Sequence, residues 1–227
     1  MSHQQNITRI KAVYLALEEL GDEVLFVGGA TVSLYKDRPA EEIRPTNDVD
    51  ILIELAHYNE YATIEEKLRK KRFVHDTESG VICRYKIQGI VVDVMPTSGA
   101  ILGFSNRWYA EGFKQAIHVS IDEGITIRIF HPVYFLATKL EAFKSRGGND
   151  GRLSTDFEDI IYLLNNRNTI WAELAQTTGT IRTYLVEEFK QLISHRYIDE
   201  WVSSHLAYSE QRRVSFILLS IENFTHS

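Results

Sequence analysis

A segment near the start of the chain combines an apolar strand, two glycines and two closely spaced aspartates. Residues 24–27 read VLFV, Gly28 and Gly29 follow, and Asp48 and Asp50 open a second apolar run, DVDILIEL. Side chains two residues apart on a strand point to the same face, about 6.6 Å apart along the chain. Two such carboxylates suit Mg²⁺, which takes oxygen ligands and shares them with phosphates. The glycines lack Cβ atoms, so the backbone there could approach a phosphate closely.

A third aspartate stands in an otherwise apolar strand. The run IVVDVM places Asp93 in a predicted strand over 90–95, joined through a turn at Gln88 and Gly89 to a strand over 80–87. A buried carboxylate without a partner is costly, so Asp93 requires a cation, hydrogen bonds or solvent. Two acidic residues separated by one position are common by chance. The strand context, the glycine turn and Asp93 together distinguish the pair at the start of DVDILIEL from such chance matches.

Hydrophobic periodicity predicts an α/β part followed by a helical part. Helices are expected over 5–20, ending at Gly21, from Ala30, and over 58–71, and edge strands within 117–130. Pro132 suits the first position of a helix that runs to residue 146 and ends at GGN, residues 147–149. Thr155 and Glu158 have the spacing of a capping box for the next helix. We therefore expect an α+β protein, with a mixed β-sheet flanked by helices in residues 1–130 and a helical region in 131–227.

Composition narrows the classes of function. The net charge of −6 does not indicate a nucleic-acid binder, although KLRKKR, residues 67–72, clusters five cations. That cluster fits either a solvated helix end or a contact with an RNA backbone. No apolar run has the length of a membrane span and the N-terminus lacks the apolar core of a signal peptide, so we expect no membrane partner and a cytoplasmic location. The single cysteine, Cys83, is expected to be a small buried hydrophobe in a reducing compartment.

Other catalytic classes have little support. The eight histidines show no metal-ligand spacing, so no zinc site is expected. Neither Ser33 nor Ser98 lies in a nucleophile-elbow pattern, which argues against a serine hydrolase.

These motifs resemble the nucleotidyltransferase superfamily that includes DNA polymerase β. The resemblance rests on the Gly28-Gly29 turn, on TNDVD at residues 46–50 and on Asp93 in IVVDVM. It implies a nucleotidyltransferase fold in the N-terminal part. It also implies that the glycine turn holds the triphosphate of an NTP, and that Asp48, Asp50 and Asp93 are catalytic and bind two Mg²⁺ ions.

Further motifs resemble the AbiEii/AbiGii toxin family within that superfamily. They are the spacing R-x-T-x-D-x-D over 44–50, KLEA at 139–142 with Arg146, and DFEDI at 156–160. The resemblance gives Thr46, Lys139 and Arg146 a nucleotide-binding role and makes Asp156 a supporting catalytic acid or base. Without it, Lys139 also fits a surface lysine beside an apolar stripe, Arg146 a helix C-terminal cation, and Asp156 an early-helix acid.

The resemblance implies a Mg²⁺-dependent enzyme that moves an NMP from an NTP to a hydroxyl acceptor and releases pyrophosphate. It favours a toxin of a toxin–antitoxin system that acts on tRNA and has a cognate antitoxin as partner. Two alternatives remain open. One is a nucleotidyltransferase with a small-molecule acceptor of the antibiotic type, and the other is a non-catalytic partner of the same fold that binds nucleotide or protein.

Overall fold

The computed structural model describes residues 2–39, 43–55, 57–147 and 150–226. The described α-helices are α1 (Ser2–Leu17), α2 (Tyr58–Lys70), α3 (Gly99–Leu102), α4 (Tyr109–Lys114), α5 (Pro132–Gly147), α6 (Thr155–Asn166), α7 (Ile170–Gln176), α8 (Gly179–Ile193), α9 (Ile198–Ser204) and α10 (Arg213–His226). The strands are β1 (Val24–Val27), β2 (Asp48–Ile53), β3 (Val74–His75), β4 (Arg84–Ile87), β5 (Ile90–Pro96), β6 (Ile117–Asp122) and β7 (Ile125–Ile129). Short 3₁₀ helices span Glu18–Asp22, Gly29–Tyr35 and Tyr208–Glu210.

The seven strands form one mixed sheet in the order β3-β4-β5-β2-β1-β7-β6. β2 lies near its centre, antiparallel to β1 and parallel to β5, and β1 also pairs in parallel with β7. Val49, Ile51 and Leu52 of β2 are fully buried, as the apolar run DVDILIEL requires of a central strand. The α+β class and the mixed sheet are therefore confirmed, and the nucleotidyltransferase arrangement stays a prediction.

The described residues divide into two compact units, the first within 2–34 and 43–131 and the second within 35–39 and 132–226. The first contains the whole sheet. In the second, α5 packs against α6, α7 and α8, and α10 packs against α8. Its core includes Phe143, Phe157 and Trp201, whose ring centroids lie 5.2–5.9 Å apart. No described helix combines the length and the apolar character that a membrane crossing requires.

Residues 35–39 belong to the second unit although they precede β2 in the chain. The carboxylate of Asp37 accepts hydrogen bonds from the backbone nitrogens of Asn168 and Thr169, at 2.7 and 3.2 Å. Arg167 Nη1 donates to the carbonyl oxygen of Tyr35 at 3.0 Å. These long-range bonds hold the segment against the loop between α6 and α7, so a single sequence boundary near residue 130 does not describe the division.

The first helix ends earlier than its sequence pattern predicts. α1 stops at Leu17 and a 3₁₀ turn replaces its expected last turn, because Glu18 has a left-handed φ of 52°. Gly21 does not terminate the helix. A Cβ there would lie 2.9 Å from the ring of Tyr14, so glycine is needed for the close approach of that side chain.

The hairpin turn at Gln88 and Gly89 is confirmed, since both residues have positive φ (50° and 79°) between the paired residues Ile87 and Ile90. The strand before it begins at Arg84 rather than at residue 80. β6 is an edge strand as expected, whereas β7 lies inside the sheet between β1 and β6.

Two helix starts also differ from the sequence interpretation. The short helix after β1 is a 3₁₀ helix that begins at Gly29 rather than at Ala30. The N-cap of α6 is Ser154, whose Oγ accepts a hydrogen bond from the backbone nitrogen of Phe157 at 3.2 Å, so the predicted cap at Thr155 is wrong. α5 begins at Pro132 as predicted, and the predicted end at residues 148 and 149 lies outside the described residues.

We predict that Ile51→Ala lowers the free energy of unfolding by about 2–5 kcal/mol, because it leaves a cavity in the centre of the sheet, where Ile51 is 0% exposed. Ile82→Ala is the matched control, since that side chain is 57% exposed and its truncation should change stability by less than about 0.5 kcal/mol. Urea denaturation followed by circular dichroism measures both. Equal effects of the two substitutions would contradict the central position of β2.

Candidate metal centre

Three aspartates on two neighbouring strands form a carboxylate cluster. The parallel register pairs Asp50 of β2 with Asp93 of β5, and Asp48 lies two residues before Asp50 on the same face of the sheet. One carboxylate oxygen from each of the three lies within 4.8 Å of the others. Carboxylate oxygens are the ligands that hard divalent cations prefer, so this cluster could hold a metal ion such as Mg²⁺.

The glycine turn lies directly against these side chains. Gly28 has a left-handed φ of 72°, and a Cβ built on it would overlap Oδ2 of Asp50. A Cβ on Gly29 would lie 2.9 Å from Nη2 of Arg44 and 3.1 Å from Cγ2 of Thr46. Both glycines therefore make room for charged side chains that reach the end of β1. The turn brings one carboxylate and one guanidinium to the same place, and a role for Arg44 there was not assigned from the sequence.

Thr46 is held by the first helix. Its backbone nitrogen and its Oγ1 both donate to Oδ1 of Asn6, at 3.1 and 3.2 Å, and Asn6 is fully buried. These bonds fix the segment that leads into β2 and its two aspartates. Because the hydroxyl proton of Thr46 is directed to Asn6, the structure gives this residue a positioning contact, and its nucleotide-binding role stays a prediction.

Arg84 is a residue of the cluster that the sequence interpretation missed. Its Nε and Nη2 donate to the two carboxylate oxygens of Asp93, each at 2.8 Å, and Nη2 lies 3.8 Å from Oδ2 of Asp48. The hydrogen bonds to Asp93 raise the pKa of the Arg84 guanidinium. Three carboxylates and one guanidinium leave the cluster a formal charge of −2, which favours binding of a further cation. Arg84 and Asp93 are paired residues of the β4–β5 hairpin, so the turn at Gln88 was the available sequence signal.

Cys83 precedes Arg84 and is 3% exposed, which confirms that it is a small buried side chain. Burial, and then the negative charge of Asp93, raise the pKa of its thiol to about 11. The thiol is therefore protonated at neutral pH and is not a nucleophile.

Lys139, Arg146 and Asp156 come together within the second unit. Lys139 Nζ lies 3.1 Å from Oδ1 of Asp156 and 2.6 Å from Oδ2 of Asp159. Arg146 Nη2 lies 2.9 Å from Oδ2 of Asp156, so Lys139 and Arg146 reach the same carboxylate from one face of α5. Asp159, within the DFEDI motif, had no predicted role of its own, and the structure makes it a direct partner of the lysine. Residues 139 and 146 lie on α5 and the two acids on α6.

Lys139 is 8% exposed, so the interpretation of a surface lysine is wrong. Burial alone would lower the pKa of its ammonium group, but the charges of Asp159 and Asp156 outweigh burial and the pKa lies above its usual 10.5. The lysine is therefore charged at neutral pH. A contact with a nucleotide phosphate would have to compete with two carboxylates, so the nucleotide-binding role of Lys139 and Arg146 and the acid–base role of Asp156 stay predictions.

The structure thus assembles the predicted residues into two groups. Gly28, Gly29, Thr46 and the three aspartates lie together in the first unit. The lysine, arginine and later aspartate form a salt-bridged group in the second unit.

We predict that Gly28→Ala reduces both stability and the affinity for Mn²⁺, because the new methyl group overlaps the Asp50 carboxylate. The loss of stability should exceed that of Gly80→Ala by about 1–3 kcal/mol. Gly80 has a similar φ of 69° with no atom within 4 Å of an added Cβ, so this control isolates the strain of the left-handed backbone. Thermal unfolding and Mn²⁺ titration measure the two effects, and equal behaviour of the two variants would contradict the close packing of Gly28 on Asp50.

We predict that Lys139→Met lowers the free energy of unfolding by about 3–5 kcal/mol at neutral pH, because it removes the buried ammonium group that Asp156 and Asp159 both contact. The folded-state pKa of Lys139 is raised, so its contribution is fully present below about pH 10.5 and is lost as the pH rises through the folded-state pKa. The stability difference between wild type and variant should therefore shrink above pH 10.5 in urea denaturation. Lys190→Met, at an exposed position of α8, is the control. A difference that is small at neutral pH would disprove the buried charge pair.

Comparison with known proteins adds no family assignment to this geometry. The sequence matches no family model, and no curated protein matches it.

Proposed function

We propose that the protein is a Mg²⁺-dependent nucleotidyltransferase that moves an NMP from an NTP to a hydroxyl acceptor and releases pyrophosphate. The observation that supports this most directly is the cluster of Asp48, Asp50 and Asp93 beside the Gly28-Gly29 turn. Phosphoryl chemistry of this kind requires mainly positioning and neutralisation of charge. A cluster of formal charge −2 next to a turn that admits close backbone approach is suited to hold a metal–phosphate pair.

The candidate site residues of the first unit have different roles in this proposal. Asp48 and Asp50 would hold Mg²⁺, and Asp93 would complete the site of the ion that activates the acceptor hydroxyl. Bound Mg²⁺ would neutralise the phosphate oxygens and lower the pKa of the acceptor hydroxyl. The Gly28-Gly29 backbone positions the triphosphate. Arg44, whose guanidinium lies beside Gly29, supplies a positive charge at that turn.

We propose an RNA acceptor, with tRNA as the first candidate because of the resemblance to the AbiEii/AbiGii toxins. Within the cluster of cations at residues 67–72, Lys70 and Lys71 form ion pairs with Glu66, Glu18 and Glu19. Lys67, Arg69 and Arg72 are exposed and form no ion pair among the described residues. A groove of about 550 Å³ is lined by Arg69, Arg72, His75 and the largely buried Tyr85, together with Glu65 and Glu66. Cations and rings on one surface are typical of single-stranded RNA contacts.

A cognate antitoxin would be the regulatory partner of such a toxin.

A non-catalytic nucleotide-binding protein is the second candidate. The observation in its favour is that Arg84 binds both carboxylate oxygens of Asp93. If this pair persists in the complex, Asp93 is not available to the reaction, and the site would bind nucleotide without transferring it.

We predict that the purified protein incorporates label from one NTP, radiolabelled at the α-phosphate, into bacterial tRNA in the presence of Mg²⁺. Asp48→Asn should lower incorporation at least about 100-fold, because it removes a ligand of the ion that neutralises the phosphates. Asp199→Asn, at an exposed position of α9, should leave incorporation unchanged. Label on small hydroxyl compounds instead of RNA would indicate the small-molecule alternative. Mg²⁺-dependent NTP binding without any transfer would favour the non-catalytic protein.

A further inference from the structure

Arg84 is bonded to Asp93, one of the three aspartates that could hold a metal ion. The guanidinium donates one hydrogen bond to each carboxylate oxygen, and both distances are 2.8 Å. This two-bond geometry is the strongest that arginine forms with a carboxylate. The pair is shielded from water, since the side chain of Asp93 is 13% exposed and that of Arg84 is 26% exposed. A divalent cation that binds Asp93 must therefore either displace this guanidinium or bind close to its positive charge.

Asp48 stands in a different relation to the arginine. Its Oδ2 lies 3.8 Å from Arg84 Nη2, beyond hydrogen-bonding distance, and its side chain is 40% exposed. Asp48 can therefore accept a cation from solvent without breaking a hydrogen bond to Arg84. Asp48 and Asp93 are consequently unequal, because metal ligation by Asp93 opposes two existing hydrogen bonds.

We propose that Arg84 and a divalent metal ion compete for Asp93, so that Arg84 limits metal binding by the free protein. This inference rests on the proposed function, because it assigns a control of metal loading to the same site. Arg84 is a positioning residue here, and its displacement is what allows the third carboxylate to join the metal site. Once displaced, the guanidinium is left beside the cluster, where phosphate oxygens match its paired donors. A nucleotide that brings phosphates would therefore favour the metal-loaded state.

A purely structural salt bridge would behave differently. Arg152 provides the comparison, since it forms a similar two-bond pair with Asp150 in the second unit, at 2.8 and 2.7 Å. Removing that pair eliminates one arginine and one two-bond contact but leaves the carboxylate cluster intact. Competition for Asp93 predicts a change in metal affinity for the Arg84 variant only.

The test is titration of Mn²⁺ in the absence of nucleotide, by calorimetry or by the loss of the free-ion electron paramagnetic resonance signal. Arg84→Gln should bind Mn²⁺ about tenfold more tightly than wild type, because it removes a positive charge that repels the cation, and Arg152→Gln should match wild type. Arg84→Lys keeps the charge but cannot donate two parallel hydrogen bonds, so it should give a smaller increase, of about threefold. Circular dichroism verifies that each variant is folded. If Arg84→Gln does not fold, the lysine variant decides the result.

The outcomes separate this inference from the proposed function. Tighter Mn²⁺ binding by the Arg84 variants alone supports the competition. Equal or weaker binding by the folded Arg84 variants overturns the competition and leaves nucleotidyl transfer intact. Absence of Mn²⁺ binding in every variant, combined with failure to label any acceptor, overturns both.

Discussion

The first unit must hold three carboxylates close together although they repel one another. One oxygen of each lies within 4.8 Å of the others. Their proximity follows from a parallel register that aligns Asp50 with Asp93 on adjacent strands. A slip by one residue in either strand would turn its carboxylates to the opposite face. The fully buried apolar residues of β2 prevent that slip, because it would bring aspartates into the core. The free energy of packing the sheet thus maintains an arrangement that electrostatics opposes.

The two units balance their charges in different ways. In the second unit, two cations meet two aspartates, and Lys139, Asp156 and Asp159 are all nearly excluded from water. In the first unit three aspartates, two of which are partly exposed, lie near two arginines, Arg84 and the Arg44 beside Gly29. A neutral buried group is typical of a rigid support, whereas an incompletely neutralised group near solvent is typical of a binding site. This contrast, together with the glycine turn, is why the functional proposal is centred on the sheet.

Local sequence patterns predicted the strands and turns whose conformation depends on neighbouring residues. The alternation in DVDILIEL identified a strand with two carboxylates on one face, and Gln88-Gly89 identified the hairpin. Counting outward from that turn would also have paired Arg84 with Asp93. Two other features depend on contacts between segments far apart in sequence. One is the parallel pairing of β2 with β5. The other is the inclusion of residues 35–39 in the second unit, where Arg167 donates to the carbonyl oxygen of Tyr35. The burial of Lys139 likewise depends on how α6 packs, which the pattern of α5 does not contain.

The buried thiol next to Arg84 has a consequence for observing this molecule. Cys83 is the only cysteine in the sequence, and its backbone carbonyl accepts a hydrogen bond from Val94, one residue beyond Asp93. A thiol that is both shielded and protonated reacts slowly with alkylating reagents, so modification reports the local opening of this hairpin. The chain therefore contains a natural single-site chemical probe next to β5, the strand that bears the third carboxylate. Its rate of labelling would record, without any introduced reporter group, how firmly the β4–β5 hairpin is held.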